Sequence, residues 1–89
     1  MKYTVVYNEK VIKQLKKIDK HQREIILKWI NKNLDGTSEP RSRGKSLNGD
    51  LGEYWRYRIG KYRIITTIDD KKIIIQIVSV GYRNEVYKK

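Results

Sequence analysis

Three arginines and a terminal Arg–Tyr pair are the residues of this chain best suited to chemistry. Arg56, Arg58 and Arg63 flank Gly60-Lys61 in the block "WRYRIGKYRI". Gly60-Lys61, with glycine first, suits a two-residue type II′ hairpin turn. Ile59 then pairs with Tyr62, Arg58 with Arg63, and Tyr57 with Ile64. Because strand side chains alternate, Arg56, Arg58 and Arg63 share one face. Like charges directly opposed across a strand pair cost up to ~1 kcal/mol. A purely structural reading has both side chains splayed into water, or a carboxylate such as Glu53 or Glu85 set between them. The functional reading is an anion site, since guanidinium forks match phosphate oxygens and keep their charge at neutral pH. Arg83 and Tyr87 lie four residues apart near the end of the chain. That spacing puts them on one side of a helical turn. A tail that turned back after Gly81 would bring both to the same arginines; a fraying terminus is the competing reading.

Elements to hold such a site are legible along the chain. Tyr3 to Tyr7, "YTVVY", reads as a strand. Asn8 is a candidate N-cap for a helix in which Val11, Ile12, Leu15 and Ile18 form the apolar stripe. Asp19, with Gln22 three residues on, offers a second N-cap and a capping-box variant. Ile25, Ile26, Trp29, Ile30 and Leu34 make the stripe of the second helix, and Gly36 suits the left-handed stop. Residues 35–50 are loop by composition, with a basic edge at Arg41, Arg43 and Lys45. Strands are expected at Tyr54 to Ile59, Tyr62 to Ile68 and Lys72 to Val80. The order is β-α-α-β-β-β. The class is α+β, an antiparallel sheet with a helical hairpin packed on one face, in a single domain spanning residues 1–89.

Alternation also assigns the faces. Trp55, Tyr57, Ile59, Tyr62, Ile64 and Ile68 form the bed for the helices. Ile73, Ile75 and Ile77 join them if Asp70-Lys71 is another two-residue turn. Arg56, Arg58, Arg63, Ile65, Thr67, Ile74, Gln76 and Val78 form the half-polar face.

Composition narrows the function classes. Lys plus Arg number 21 against 10 Asp plus Glu, a formal net charge of +11 over 89 residues. Such an excess points to a polyanionic partner, nucleic acid or an acidic protein. The chain has no cysteine. That excludes a disulfide scaffold, a thiolate metal site and a Cys nucleophile. No apolar run approaches the ~20 residues of a membrane span, and the N-terminus lacks a signal-peptide pattern. The expectation is a soluble, cytoplasmic protein with no membrane association. "GKS" at 44–46 lacks the earlier glycine of a phosphate-binding loop, since Glu39 occupies that position. His21 alone makes no His-pair site, and Asp69-Asp70 reads as turn chemistry. No metal and no cofactor are expected.

The blocks "LGEYWRYRIGKYRIITTI" and "IIIQIVSVGYRNEVYKK" resemble the RelE family of bacterial toxin–antitoxin ribonucleases, in the RelE/ParE superfamily. The resemblance spans essentially the whole chain. It implies a RelE-like fold and a metal-independent endoribonuclease that cuts messenger RNA in the ribosomal A site. It also implies an acidic, RelB-like antitoxin as inhibitor, with operator DNA bound only through that antitoxin. On this resemblance catalysis falls to Arg63, Arg83 and Tyr87, and substrate binding to Arg56, Arg58, Tyr82 and Lys45. Many relatives carry His or Lys at the position of Tyr82, so the general acid and base stay open. A tyrosine of ordinary pKa ~10 is a poor base at neutral pH, although neighbouring guanidinium groups lower it. Such a site needs its substrate held in a reactive geometry, which a ribosome can supply. The alternatives are a ParE-like inhibitor of DNA gyrase, which is not an enzyme, and a basic nucleic-acid-binding module without catalysis.

Overall fold

The computed structural model describes residues 1–47 and 54–82. The β-branched start forms β1 (Thr4–Tyr7). The Asn8 side chain then accepts the Lys10 backbone N–H at 2.8 Å and opens α1 (Glu9–Lys16). Asp19 caps α2 (Lys20–Asn33) in the same way, accepting the N–H groups of His21 and Gln22. Both caps fall where the sequence put them, because each satisfies helix-end donors that nothing else would reach. Gly36 turns the chain out of α2 at φ +83°. A short 3-10 turn at Pro40–Ser42 leads to β2 (Lys45–Ser46), followed by β3 (Trp55–Ile59), β4 (Tyr62–Asp69) and β5 (Ile74–Tyr82).

The strands lie in the order β1-β5-β4-β3-β2. The expected class and element order stand, with two additions to the sheet. β2 is a short extra strand at one edge, drawn from the basic loop. β1 runs parallel to β5, so the sheet is mixed and not purely antiparallel. A tight hairpin forces antiparallel neighbours, but the helical connection after β1 removes that constraint.

The core lies between the helices and one sheet face. Val11 and Leu15 of α1 and Ile26, Ile30 and Leu34 at and beside α2 meet Tyr57, Ile59, Tyr62, Ile64, Ile75, Ile77 and Val80. Each such aliphatic side chain, fully buried, contributes roughly 1.5–3 kcal/mol. Ile12 departs from the expected stripe and is 45% exposed.

Two features of the sheet differ from simple alternation. The chain reverses between β4 and β5 through residues 70–73, with Asp69 paired to Ile74, so Asp70-Lys71 is not a two-residue turn. The Asp69 carboxylate accepts the N–H groups of Lys71 and Lys72, and Ile73 takes φ +50° to close the turn. Further along, Ile65 pairs with Ser79 but Thr66 pairs with Ile77, leaving Val78 as an extra residue. This bulge re-phases β5. Val80 then faces the core opposite Ile64, and Gly81 lies opposite Arg63. Past the end of β1, Gln14 of α1 serves the exposed edge of β5. Its Oε1 accepts the Val80 N–H at 2.8 Å, and its Nε2 donates to the Ser79 hydroxyl.

The outer edge of β1 is also covered. Tyr3 exchanges backbone hydrogen bonds with Gly36 and Thr37, and Val5 N–H donates to the Asp35 carboxylate.

Candidate nucleic-acid interface

Hairpin register builds the site. Positive φ occurs at Gly60 and not at Lys61, as a type II′ turn requires. Arg58 therefore lies directly opposite Arg63, and Ile59 opposite Tyr62, as the sequence indicated. Directly opposed residues share a face, so Arg58 and Arg63 sit side by side on the face away from the helices. Arg56, two residues before Arg58, joins them, and β2 sets Lys45 opposite Arg56. Lys45–Arg56 and Arg58–Arg63 thus form two adjacent cationic rows. Ile65 and Gly81 complete those rows on the β5 side.

The four cations are not equivalent. Lys45 and Arg58 are exposed, Arg56 is half-buried, and Arg63 is 7% exposed. Arg63 has not splayed into water. Its neighbour across β5 is Gly81, which brings no side chain to compete for the space over the sheet. A buried guanidinium acts on charge more strongly than one in water, because the surroundings screen it less.

Close approach by a glycine holds the Lys45 row. Gly44 stands at φ +78°, packed on the backbone carbonyl of Arg56 and the rings of Trp55 and Tyr57. A Cβ there would collide with them. The preceding loop is fastened by three further contacts. Trp55 Nε1 donates to the Arg43 carbonyl at 2.7 Å, and the Tyr57 hydroxyl donates to the Pro40 carbonyl at 2.6 Å. The Arg41 guanidinium grips the Asp70 carboxylate with two hydrogen bonds, and the Tyr3 hydroxyl donates to the same carboxylate. The Arg41 and Tyr3 contacts hold Asp70 below the usual carboxylate range. Burial pushes the Tyr57 phenol up to about 12, so it stays a neutral donor.

Arg43 lines one cleft with Lys45, Arg56 and Arg58, against Trp29 and Tyr57. Its place in the cation set was visible only as part of a basic loop; the glycine that brings the loop against β3 was the available clue. Arg41, in the same loop, is committed to Asp70.

Tyr82 is displaced from the expected site. It pairs with Tyr62 and stacks on it, with ring centroids 4.6 Å apart. Tyr62 belongs to the helix-side core, so Tyr82 sits on the face opposite Arg63. The Val78 bulge is the cause. Uninterrupted alternation from Gln76 and Val78 would have carried Tyr82 onto the cationic face. Arg83 and Tyr87 lie outside the described residues. Among the described residues, no three His, Cys, Asp or Glu side chains gather as a metal site. Among them, too, no helix is long and apolar enough to cross a membrane.

What the structure brings together on this face is a set of cations, Lys45, Arg56, Arg58 and Arg63, with the Arg63 guanidinium buried. Guanidinium forks there can bind successive phosphates and stabilise added negative charge on one of them.

Comparison with known proteins bears on this geometry. Residues 5–87 match the family model described as ParE toxin of type II toxin–antitoxin systems. A search of curated proteins gives no match. Among solved structures, the RelBE2 toxin–antitoxin complex of Mycobacterium tuberculosis superposes with a TM-score of 0.84 at 26% identity, covering 93% of this chain and 100% of that one. The isolated Escherichia coli RelE toxin gives 0.72 at 26% identity, over 96% and 90% of the two chains. The archaeal RelE–RelB complex of Pyrococcus horikoshii gives 0.70 at 27% identity, over 96% and 99%.

Proposed function

Since the chain belongs to the ParE toxin family of type II toxin–antitoxin systems, within the RelE/ParE superfamily, we propose that it arrests growth as a ribosome-dependent endoribonuclease acting on messenger RNA in the cytoplasm. The observation that carries this reading is the Arg58–Arg63 pair, with Arg63 buried beside the Lys45–Arg56 row. Guanidinium groups gathered in register on one face supply the forks that phosphate oxygens accept, and the buried one acts on added negative charge with little screening.

In the proposed reaction the RNA 2′-oxygen attacks the adjacent phosphorus, and the bond from phosphorus to the 5′-oxygen breaks. The 2′-hydroxyl proton is removed, and a proton is delivered to the leaving 5′-oxygen. The products are a 2′,3′-cyclic phosphate and a 5′-hydroxyl. Arg63 stabilises the extra charge on the phosphate in the transition state. Arg58, Arg56 and Lys45 bind the flanking backbone, with Arg43 beside them. Arg83 joins Arg63, and Tyr87 orients or deprotonates the nucleophile. Tyr82 has no part in phosphate binding. The site as assigned carries no histidine or carboxylate base, so reactive alignment by the ribosome supplies much of the rate.

The toxin's partner is a cognate antitoxin, as in the RelBE2 and RelE–RelB complexes. An acidic, RelB-like antitoxin would complement the +11 charge. Operator DNA would be reached through that antitoxin.

The test is primer-extension mapping of a message in a reconstituted translation system, with and without ribosomes. Cuts with 5′-hydroxyl ends on ribosome-bound message, lost in Arg63→Ala and Tyr87→Phe, are the expected result. The match to a ParE toxin model supports a second reading, the inhibition of DNA gyrase that the sequence resemblance raised as an alternative. Intact message together with blocked gyrase supercoiling would establish that reading instead.

A further inference from the structure

Beyond Arg56, β3 lies at the rim of the sheet. β2 pairs with β3 only at Trp55 and Arg56, and the chain before Lys45 leaves the ladder. Ile59 and Tyr62 close the hairpin, so hydrogen-bonded pairs alternate from there along β3 and β4. That alternation points the backbone N–H and C=O of Arg58 away from β4, toward the rim. Beside them lies a cleft of about 390 Å³. Trp29 of α2, with Tyr57 behind it, forms an aromatic wall, and Arg43, Lys45 and Arg58 form a cationic one. Trp29 packs on Tyr57 with ring centroids 5.8 Å apart and stays only half-buried. Arg43, Lys45 and Arg58 are all exposed, and among the described residues none of them pairs with a carboxylate. Arg41, two residues before Arg43, is by contrast taken up by Asp70.

We propose that this cleft holds one base of a single-stranded RNA, stacked on Trp29, with Arg43, Lys45 and Arg58 on the phosphates beside it. The assignment rests on the reading of RNA as substrate and adds a base subsite to the phosphate contacts. Phosphates alone would be served by the cationic rows on the open sheet face and would have no use for an indole. An acidic peptide would pair with the three cations but offers no flat ring to lie against Trp29. A nucleotide uses both walls, since its base presents a π-face to the aromatic ring and its phosphates meet the cations. The Arg58 backbone groups at the rim can hydrogen-bond to the edge of that base. At the low end of the ~300–1,000 Å³ range of small-ligand clefts, this one suits a single nucleotide. The cleft then selects which base is held beside the arginines, whereas the rows bind any sequence.

The test uses short single-stranded 2′-O-methyl RNA, whose blocked 2′-oxygen cannot attack the phosphate. Dissociation constants of the purified chain are measured for an oligomer of mixed sequence and for an abasic oligomer of equal length and charge. A nucleoside monophosphate and a polyglutamate peptide are measured beside them. The base-bearing oligomer should bind about fivefold or more tightly than the abasic one, the scale of one stacked base. Trp29→Leu should erase that difference and bind the abasic oligomer as wild type does. Trp29→Phe, which keeps a ring, should retain part of it. Arg43→Ala should weaken both oligomers alike, with the loss shrinking at high salt. Equal binding of the two oligomers by wild type would overturn the base subsite. So would a Trp29→Leu chain that circular dichroism shows folded and that keeps the difference. Polyglutamate binding as tightly as the base-bearing oligomer would reduce the cleft to a charge site, and monophosphate binding as tightly would remove the strand from the assignment; either result overturns it. None of these measurements depends on cleavage, so a chain that cuts no RNA still decides the subsite, and loss of cleavage with the subsite intact counts against the ribonuclease reading alone.

Discussion

The two faces of the sheet use the same alternation of side chains to opposite ends. On the helix side, Tyr57, Ile64, Ile75 and Ile77 are buried, and close packing against α1 and α2 holds each in place. On the other side, Lys45, Arg56, Arg58 and Arg63 are held by backbone register and by one glycine contact at Gly44. The first face stabilises the molecule by removing apolar area from water. The second gathers cationic side chains in adjacent rows. The comparison teaches that the packing that stabilises the fold and the cations proposed to bind RNA lie on opposite faces of the same strands and should respond to different substitutions.

The sharpest break of that comparison is Ile77→Ala. Ile77 is fully buried, so a cavity there should cost about 2–5 kcal/mol by chemical denaturation. Cleavage per folded molecule should be unchanged. Arg63→Ala should do the reverse, lowering cleavage by roughly 100-fold or more, the scale for losing a preorganised donor to transition-state charge. Its denaturation midpoint should move less than that of Ile77→Ala, and Arg63→Lys should restore only part of the rate because the planar fork is lost.

A glycine pair sharpens the comparison further. Gly44→Ala meets the Arg56 carbonyl and the rings of Trp55 and Tyr57, whereas Gly36→Ala meets open space. Both positions carry the left-handed strain of about 1–2 kcal/mol. Only Gly44→Ala should also weaken RNA binding, since it pushes Lys45 away from Arg56. Equal effects on binding would mean that the Lys45 row is not held by this contact.

The smallest expected effect concerns Tyr57. Replacing it with Phe strands the Pro40 carbonyl and should cost about 1 kcal/mol. Its folded pKa, raised by burial to about 12, lies above the unfolded value near 10. The folded state therefore favours the neutral phenol. That contribution is whole below pH ~10 and fades as pH rises toward about 12. A denaturation series across this window should be shallower for Tyr57→Phe than for wild type.

Much of this was legible in the chain. Asn8 and Asp19 announced both helices, because a capping side chain has few other uses before an apolar stripe. Gly60-Lys61 fixed the register that sets Arg58 against Arg63, since a two-residue turn leaves no slack. Tyr82 was misplaced because a bulge is a local insertion with no signature in an aliphatic run such as "IIIQIVSV". The parallel pairing of β1 escaped notice for a different reason. Strand direction after a helical connection depends on where the helices return the chain, and side-chain periodicity carries no information about that. Helical spacing with Leu15 points Ile12 toward the core, but periodicity does not report how wide the covered stripe is.

The closed edge of β1 has a consequence for assembly. Growth of strands into a fibre is a polymerisation, and a monomer must be bifunctional to propagate one. At the β1 edge, Asp35, Gly36 and Thr37 occupy backbone groups of Tyr3 and Val5 that an incoming strand would need. At the opposite edge, β2 offers two residues, Lys45 and Ser46, one of them charged. Among the described residues, neither edge offers a long uninterrupted run of backbone donors and acceptors, so strand-by-strand growth of the sheet is disfavoured at both ends.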